Sequence, residues 1–548
     1  MIRTEMHEVS DKGAHSAEAT SFSGSGLLRN TILIALIAIA TKGLGFVRDI
    51  VISRTYGASR ATDLFFFGFN IWIALAFAFA LSLNQVLLPA LAADGYPAER
   101  RGARLFSAVL CMAAAASTLL AVTFGLLGFG TGPLIASHTP PELQQLARSI
   151  IRLLSLGLPA VVVAAVFGTA MRLRGRFGAA ELVPPFVNVG TLMGILIAGS
   201  TGIVTAAAGL LAGAVSGALA LASLFLLHQG ALSVPRPRDL AAATRLLTLA
   251  AVLCFVGHSG GYANTLLESV FAIQLPEGQL TYLAYARRLL MLLVQLVVPA
   301  AMVTGLAGMS VRLSDGDRVG AHRLATESVR VLLFILFLPT IILSCTSFDV
   351  VRLVYGDARI SASGASMVAG LISAMSILPM TSIVKNAAAQ ILFSDRRPAF
   401  VVASGLAAVV VFVGVVSASR ETIGLTGLVL AILGSDLVAT GVLIVCAWRI
   451  SGYGWGWLQG FAMRAVPVGG ATAVGLLLLT HLWPPEAAAW YERMARLTVA
   501  TGLGAVLFVA SAVVVRAPEL QKVLEMGARM MGRGSASKGR RGQESRDG

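Results

Sequence analysis

The sequence predicts an all-α polytopic membrane protein with about fourteen transmembrane helices, and two observations carry that expectation. First, 56% of the 548 residues are hydrophobic and only 13% are charged, with a mean hydropathy of +0.81. A water-soluble chain of this length needs far more polar surface. Second, the apolar residues form uninterrupted runs of about 20 or more without strand-like alternation. Lipid admits only helices and closed barrels, because every backbone N–H and C=O must be satisfied internally. Unbroken apolar runs select helices.

Residues 1–25 mix Glu, Asp, Lys, Arg and His with Ser and Gly. No basic segment leads into a short apolar core with a small-residue cleavage site, so they read as a disordered cytoplasmic tail and not as a signal peptide. The spans then fall at 27–52, 62–93, 104–131, 142–171, 181–200, 203–228, 240–273, 279–310, 323–347, 362–394, 398–418, 422–449, 460–482 and 492–515. Several exceed the ~20 residues that a crossing requires, so tilt, kinks or extension into solvent are expected.

The loops after spans 2, 4, 6, 8, 10 and 12 carry the arginines, among them Arg100, Arg174, Arg236, Arg318, Arg397 and Arg449. The alternate loops are short or weakly charged. That asymmetry places both termini in the cytoplasm. The formal net charge of +15 is concentrated in loops and the C-terminal tail. Orientation and attraction to anionic lipid account for it without a nucleic-acid partner. Cys111, Cys254, Cys345 and Cys446 lie far apart in apolar stretches. Lacking metal-ligand spacing, they read as small core residues.

Internal symmetry organises the spans. Span 4 ends in Arg174-Gly175-Arg176-Phe177 and span 10 in Asp395-Arg396-Arg397-Pro398, six spans later, each followed by a new apolar helix. The expected layout is two pseudo-symmetric six-helix lobes, 26–230 and 231–452, with two further helices at 453–516, as in transporters built from repeats. Residues 517–548 form a basic cytoplasmic tail. Its start, Leu520–Met531, reads as an interfacial amphipathic helix, with Leu520, Val523 and Leu524 beside Lys522 and Arg529. In span 6, Gly209, Gly213 and Gly217 recur every four residues, a pattern of close helix packing.

Charges inside the apolar runs are the candidates for function, because each costs ~2.5–3.5 kcal/mol at the bilayer centre on insertion scales. Span 1 contains Lys42-Gly43-Leu44-Gly45-Phe46-Val47-Arg48-Asp49. Lys42, Gly45 and Asp49 share one helical face, with Arg48 turned roughly 120° from Lys42. Two cations outnumber one aspartate, which favours a cavity suited to an anion over a simple Lys–Asp or Arg–Asp pair. Span 8 adds Arg287 and Arg288; adjacent residues diverge by ~100°, so at least one should face the interior unless both snorkel outward. Arginine binds phosphate well through its planar fork. Glu268 in span 7, Lys385 in span 10 and Asp436 in span 12 read equally as coupling-ion or proton sites and as halves of buried polar pairs. Asp63, Asn70, Asn84 and Gln85 point to a partly wet face on span 2. Gly257-His258-Ser259-Gly260-Gly261 matches G-x-S-x-G. A nucleophile elbow needs a strand-to-helix turn, and this segment is mid-helix, so a hydrolase is not expected. No metal cluster or cofactor motif is apparent.

The stretch from Thr41 to Asp49, then Arg54-Thr55-Tyr56-Gly57-Ala58-Ser59 and Thr62-Asp63-Leu64-Phe65-Phe66, resembles the opening of the MurJ (MviN) family. These are lipid II flippases of the multidrug/oligosaccharidyl-lipid/polysaccharide exporter superfamily. Arg174-Gly175-Arg176-Phe177 with Pro184 and Asn188, Asn264-Thr265, Tyr285-Ala286-Arg287-Arg288-Leu289 and Leu353-Val354-Tyr355-Gly356 follow in family order.

The resemblance implies two lobes around a central cationic cavity and alternating access. The substrate would be an undecaprenyl-diphosphate-linked saccharide, carried to the outer leaflet of the bacterial inner membrane. It maps cavity cations onto Lys42, Arg48 and Arg288; Gly43, Gly45, Asp49, Asp63 and Arg287 are expected in supporting or conformational roles beside them. It implies no cofactor. Membrane potential, Na⁺ or H⁺ is the energy source to test, and cell-wall or polysaccharide synthesis proteins are the expected protein partners. Three family features differ: Lys42 stands where Arg is usual, span 2 lacks its cation, and Leu289–Leu293 lacks the acid and proline expected after Arg288. Those departures leave open another lipid-linked oligosaccharide as substrate. A cation-coupled drug exporter should have an acidic pocket instead, and a transport-inactive scaffold should tolerate loss of Lys42 and Arg48.

Overall fold

The computed structural model describes residues 24–126, 141–199, 202–228, 232–257, 259–314, 317–356, 359–395, 397–452, 454–484 and 489–525. No strand occurs among them. The first half contains α1 (Gly24–Tyr56), α2 (Arg60–Ala93), α3 (Arg100–Leu126), α4 (Pro141–Leu156), α5 (Leu158–Leu173), α6 (Phe177–Ala180), α7 (Val183–Ala198) and α8 (Val204–Leu227). The second contains α9 (Pro237–Gly257), α10 (Ser259–Ala272), α11 (Gln279–Ser314), α12 (Arg318–Cys345), α13 (Ser347–Tyr355), α14 (Ala362–Ala374), α15 (Leu378–Ser394), α16 (Pro398–Ile423) and α17 (Leu425–Ser451). Then come α18 (Gly456–Leu482) and α19 (Trp490–Val514).

Each expected span lies on a helix or a pair of helices, and ten passages are long and apolar enough to cross a bilayer. α7 is a shorter apolar helix. The chain is a multi-pass membrane protein.

Two spans expected as single helices are broken. Span 4 divides at Gly157 and span 10 around Met375–Ile377, each resuming with a proline at the second position, Pro159 and Pro379. Proline fits the first turn, where its missing N–H has no intrahelical partner, so the two breaks have one cause. Their equivalence, six spans apart, supports the repeat. Span 7 is helical over Pro237–Gly257 and Ser259–Ala272. The G-x-S-x-G stretch has helix on both sides of His258, which itself lies outside the described residues, and no strand-to-helix turn occurs among the described residues there.

The close approach expected from the span 6 glycines is present. A Cβ on Gly213 would lie 2.3 Å from the Phe186 carbonyl oxygen, and one on Gly209 would lie 2.2 Å from that of Gly190. α7 and α8 therefore pack backbone to backbone.

The boundary at residue 230 does not separate packing neighbours. α9 lies against α2 and α3, while α10 lies against both α2 and α16. Nor does the start of the tail simply face lipid. The chain is helical again over 518–525, and Glu519 there is buried against Arg330 of α12. Lys522 reaches Glu327 at 3.2 Å. Leu520 and Val523 join the core beside α12. Residues 1–23 and 526–548, which carry the two expected tails, lie outside the described residues.

Candidate substrate site

Lys42 and Arg48 of α1 and Arg288 of α11 line one cavity of about 150 Å³, walled by α2 and α7 as well. Three cations and one acid, Asp49, give it a net charge of +2. Arg48 and Asp49 are 2% and 1% exposed. Arg48 donates from Nε and Nη2 to Asp49 Oδ1 at 2.9 and 2.7 Å, and from Nη1 to Asn188 Oδ1 at 3.0 Å. Its guanidinium lies 4.4 Å from the centre of the Phe69 ring, a cation–π contact. The other carboxylate oxygen of Asp49 receives Arg288 Nε. Asp49 thus bridges a helix of the first lobe to one of the second. Lys42 is exposed, and among the described residues no acid pairs with it.

The helical wheel turns Arg48 away from Lys42, yet both line the cavity. The reason is reach: the long arginine side chain runs along α1 to Asp49 and Asn188. Gly45 is buried beside Asn188, where an added Cβ would rest 3.5 Å from the amide nitrogen, whereas Gly43 meets open space. α1 runs unbroken through both glycines.

Two residues of this site were not expected as cavity residues. Asn188 also donates to the Thr41 carbonyl at 3.2 Å, holding α7 against α1. A lone asparagine in an apolar span was the available signal. Phe69 was hidden in the phenylalanine-rich run of α2.

Arg287 turns the other way. It forms a two-pronged pair with Glu268 of α10, and Lys385 of α15 pairs with Asp436 of α17. All four line a second cavity of about 400 Å³ enclosed by α10, α11, α15, α16 and α17. Of the two readings for Glu268, Lys385 and Asp436, polar pairing is what the geometry displays. Neither arginine of α11 snorkels.

Asp63 lies at neither cavity. It is fully buried and accepts from Gly278 N, Thr281 N and Thr281 Oγ1 at 2.7, 2.9 and 2.7 Å. Around it, Tyr285 Oη donates to the Gly57 carbonyl, and Arg54 donates to the carbonyls of Leu353 and Val354. These bonds close the end of the bundle where α1 passes into α2. Of the wet face expected on span 2, Asp63 is sealed in, half-buried Asn70 donates to Ser269 Oγ and half-buried Asn84 accepts from Thr169, while Gln85 is exposed. Both carboxylate oxygens of Asp63 are met, where leaving a buried acceptor unmet would cost about 1–3 kcal/mol.

Fold and site together define a multi-pass membrane protein with a cationic cavity where a helix of its first half meets one of its second. The family model described as "Lipid II flippase MurJ" matches residues 52–490, and the chain belongs to that family. A probable lipid II flippase MurJ from Thermotoga maritima is 26% identical over 169 residues, which is 31% of this chain and 36% of the relative. The alignment thus spans about a third of that relative's length.

Among solved structures, a lipid II flippase MurJ in an inward closed conformation matches with a TM-score of 0.73 at 14% identity, covering 88% of this chain and 99% of that one. An inward-facing multidrug resistance MATE family transporter of the MOP superfamily matches with a TM-score of 0.64 at 15% identity, covering 77% and 98%. Both likenesses concern the fold.

Proposed function

We propose that this protein is a flippase that moves lipid II, a polyprenyl-diphosphate-linked saccharide, from the inner to the outer leaflet of the bacterial cytoplasmic membrane. The observation that carries this reading is the cavity charge of +2 set by Lys42, Arg48, Arg288 and Asp49, which matches the two charges of a diphosphate diester. Arg288 offers a planar fork for phosphate oxygens, and Lys42, which no acid neutralises among the described residues, adds a mobile point charge. Family membership supplies the substrate class. The cationic lining disfavours a drug exporter with an acidic pocket. With both termini cytoplasmic, the Asp63 cluster closes the outer end, and the site exchanges sides as the lobes rock. An inside-negative potential favours outward movement of the anion by ~2.3 kcal/mol per charge per 100 mV.

The test is complementation of a bacterium depleted of its essential lipid II flippase, with membrane expression of each variant verified. Wild type should restore growth; Lys42→Ala, Arg48→Ala and Arg288→Ala should not. Failure of well-expressed wild type would move the assignment to another lipid-linked glycan, and rescue by all three variants would remove the cavity from the mechanism.

A further inference from the structure

α11 is a wall shared by two cavities of different character. Arg288 and Leu292 line the cationic one, and Arg287 and Met291 line the larger one. Each set is an i, i+4 pair, and the two faces diverge by ~100°. The larger cavity has two cations and two acids, so its net charge is zero. Each carboxylate is already neutralised by a protein cation. A further metal ion would sit beside Lys385 and Arg287, and an anion beside Glu268 and Asp436.

Two acceptors there, Asn264 Oδ1 and Asp436 Oδ2, are buried without a hydrogen-bond partner among the described residues. Such atoms need donors, and at about 400 Å³ the cavity falls within the roughly 300–1,000 Å³ typical of small-molecule sites.

We infer that this cavity is a subsite for the uncharged, hydroxyl-bearing saccharide that follows the diphosphate, with sugar hydroxyls donating to Asn264 and Asp436. The inference rests on the lipid-linked substrate proposed above. It divides that substrate by charge: the diphosphate on the +2 face of α11, the neutral sugar on the adjacent face.

The experiment measures binding of two probes to the purified full-length protein: a polyprenyl diphosphate, and the same lipid bearing one saccharide. Two variants are used. Lys385→Met/Asp436→Leu removes both charges at once and leaves no orphaned ion, a change that buried pairs commonly tolerate. Asn264→Leu removes an unsatisfied acceptor and should leave thermal stability equal or higher. Each should weaken the saccharide-bearing lipid about tenfold, the order expected for one or two hydrogen bonds, with binding of the bare diphosphate unchanged. Arg288→Ala should weaken both probes.

Equal loss for both probes in stable variants would overturn the subsite. So would unchanged binding accompanied by a new Na⁺ or pH dependence of transport, which would mark an ion site. If wild type binds neither probe, the diphosphate reading itself falls first, and this inference with it.

Discussion

Arg48 and Lys42 carry the same charge six residues apart, yet their surroundings assign them different tolerances. Arg48 satisfies Asp49 and Asn188 from three nitrogens while its guanidinium lies over the Phe69 ring. A lysine places its three donors on one nitrogen and cannot span all three partners. Arg48→Lys should therefore cost about 1.5–3 kcal/mol, the value of a lost hydrogen bond involving a charged group, and should weaken polyprenyl diphosphate binding at least tenfold. Lys42 has no such set of partners, so Lys42→Arg should keep or improve that binding. Titration of both variants with the lipid, alongside thermal melting, checks the contrast; equal effects would mean that only charge matters here. The sequence made the cations visible because charge is conspicuous in an apolar run. It could not reveal Asn188 as the residue that orients Arg48, because that contact joins positions 140 residues apart.

At the scale of helices, glycines separate into packing and conformational classes. In α7 and α8 a methyl group at Gly190 or Gly213 would meet carbonyl oxygens at 2.3 Å, and backbone cannot move aside as a side-chain tip can. Gly190→Ala and Gly213→Ala should each lower stability by about 1–3 kcal/mol through overpacking, read as reduced melting temperature in detergent. Gly43 stands in open space within α1. Gly43→Ala should leave stability equal or raise it by up to about 1 kcal/mol, because alanine is the better helix former. If α1 bends at Gly43 during transport, that same variant slows transport without destabilising the protein, and normal transport would exclude the hinge. The spacing of Gly209, Gly213 and Gly217 disclosed tight packing but not its partner, since helix pairing is a tertiary property. The breaks in spans 4 and 10 did have a local signal, Leu158-Pro159 and Leu378-Pro379. Both were absorbed into continuous apolar runs because hydropathy does not register a missing N–H.

For the whole molecule, alternating access requires that one end of the lobe junction be closed while the other admits substrate, and the closed end is identifiable bond by bond. Asp63, Thr62 and Thr281 form its centre, with the two threonine hydroxyls 3.1 Å apart. The all-helical, multi-pass class was legible in the sequence because it is written in composition. The seal was not, because Asp63 resembles any polar residue at a helix start until the 278–281 backbone is seen donating to it. Its location gives the most direct test of the transport cycle. In a chain freed of Cys111, Cys254, Cys345 and Cys446, the pair Thr62→Cys/Thr281→Cys replaces two touching side chains from opposite lobes. Oxidation should join them efficiently and stop substrate movement, and reduction should restore it; each single cysteine should remain active under oxidation. A membrane-impermeant thiol reagent should label Thr281→Cys faster when transport substrate is present, since opening of this end exposes it. Full transport in the completely cross-linked protein would mean that this end never parts, and that the lipid crosses by a route other than rocking of the two lobes.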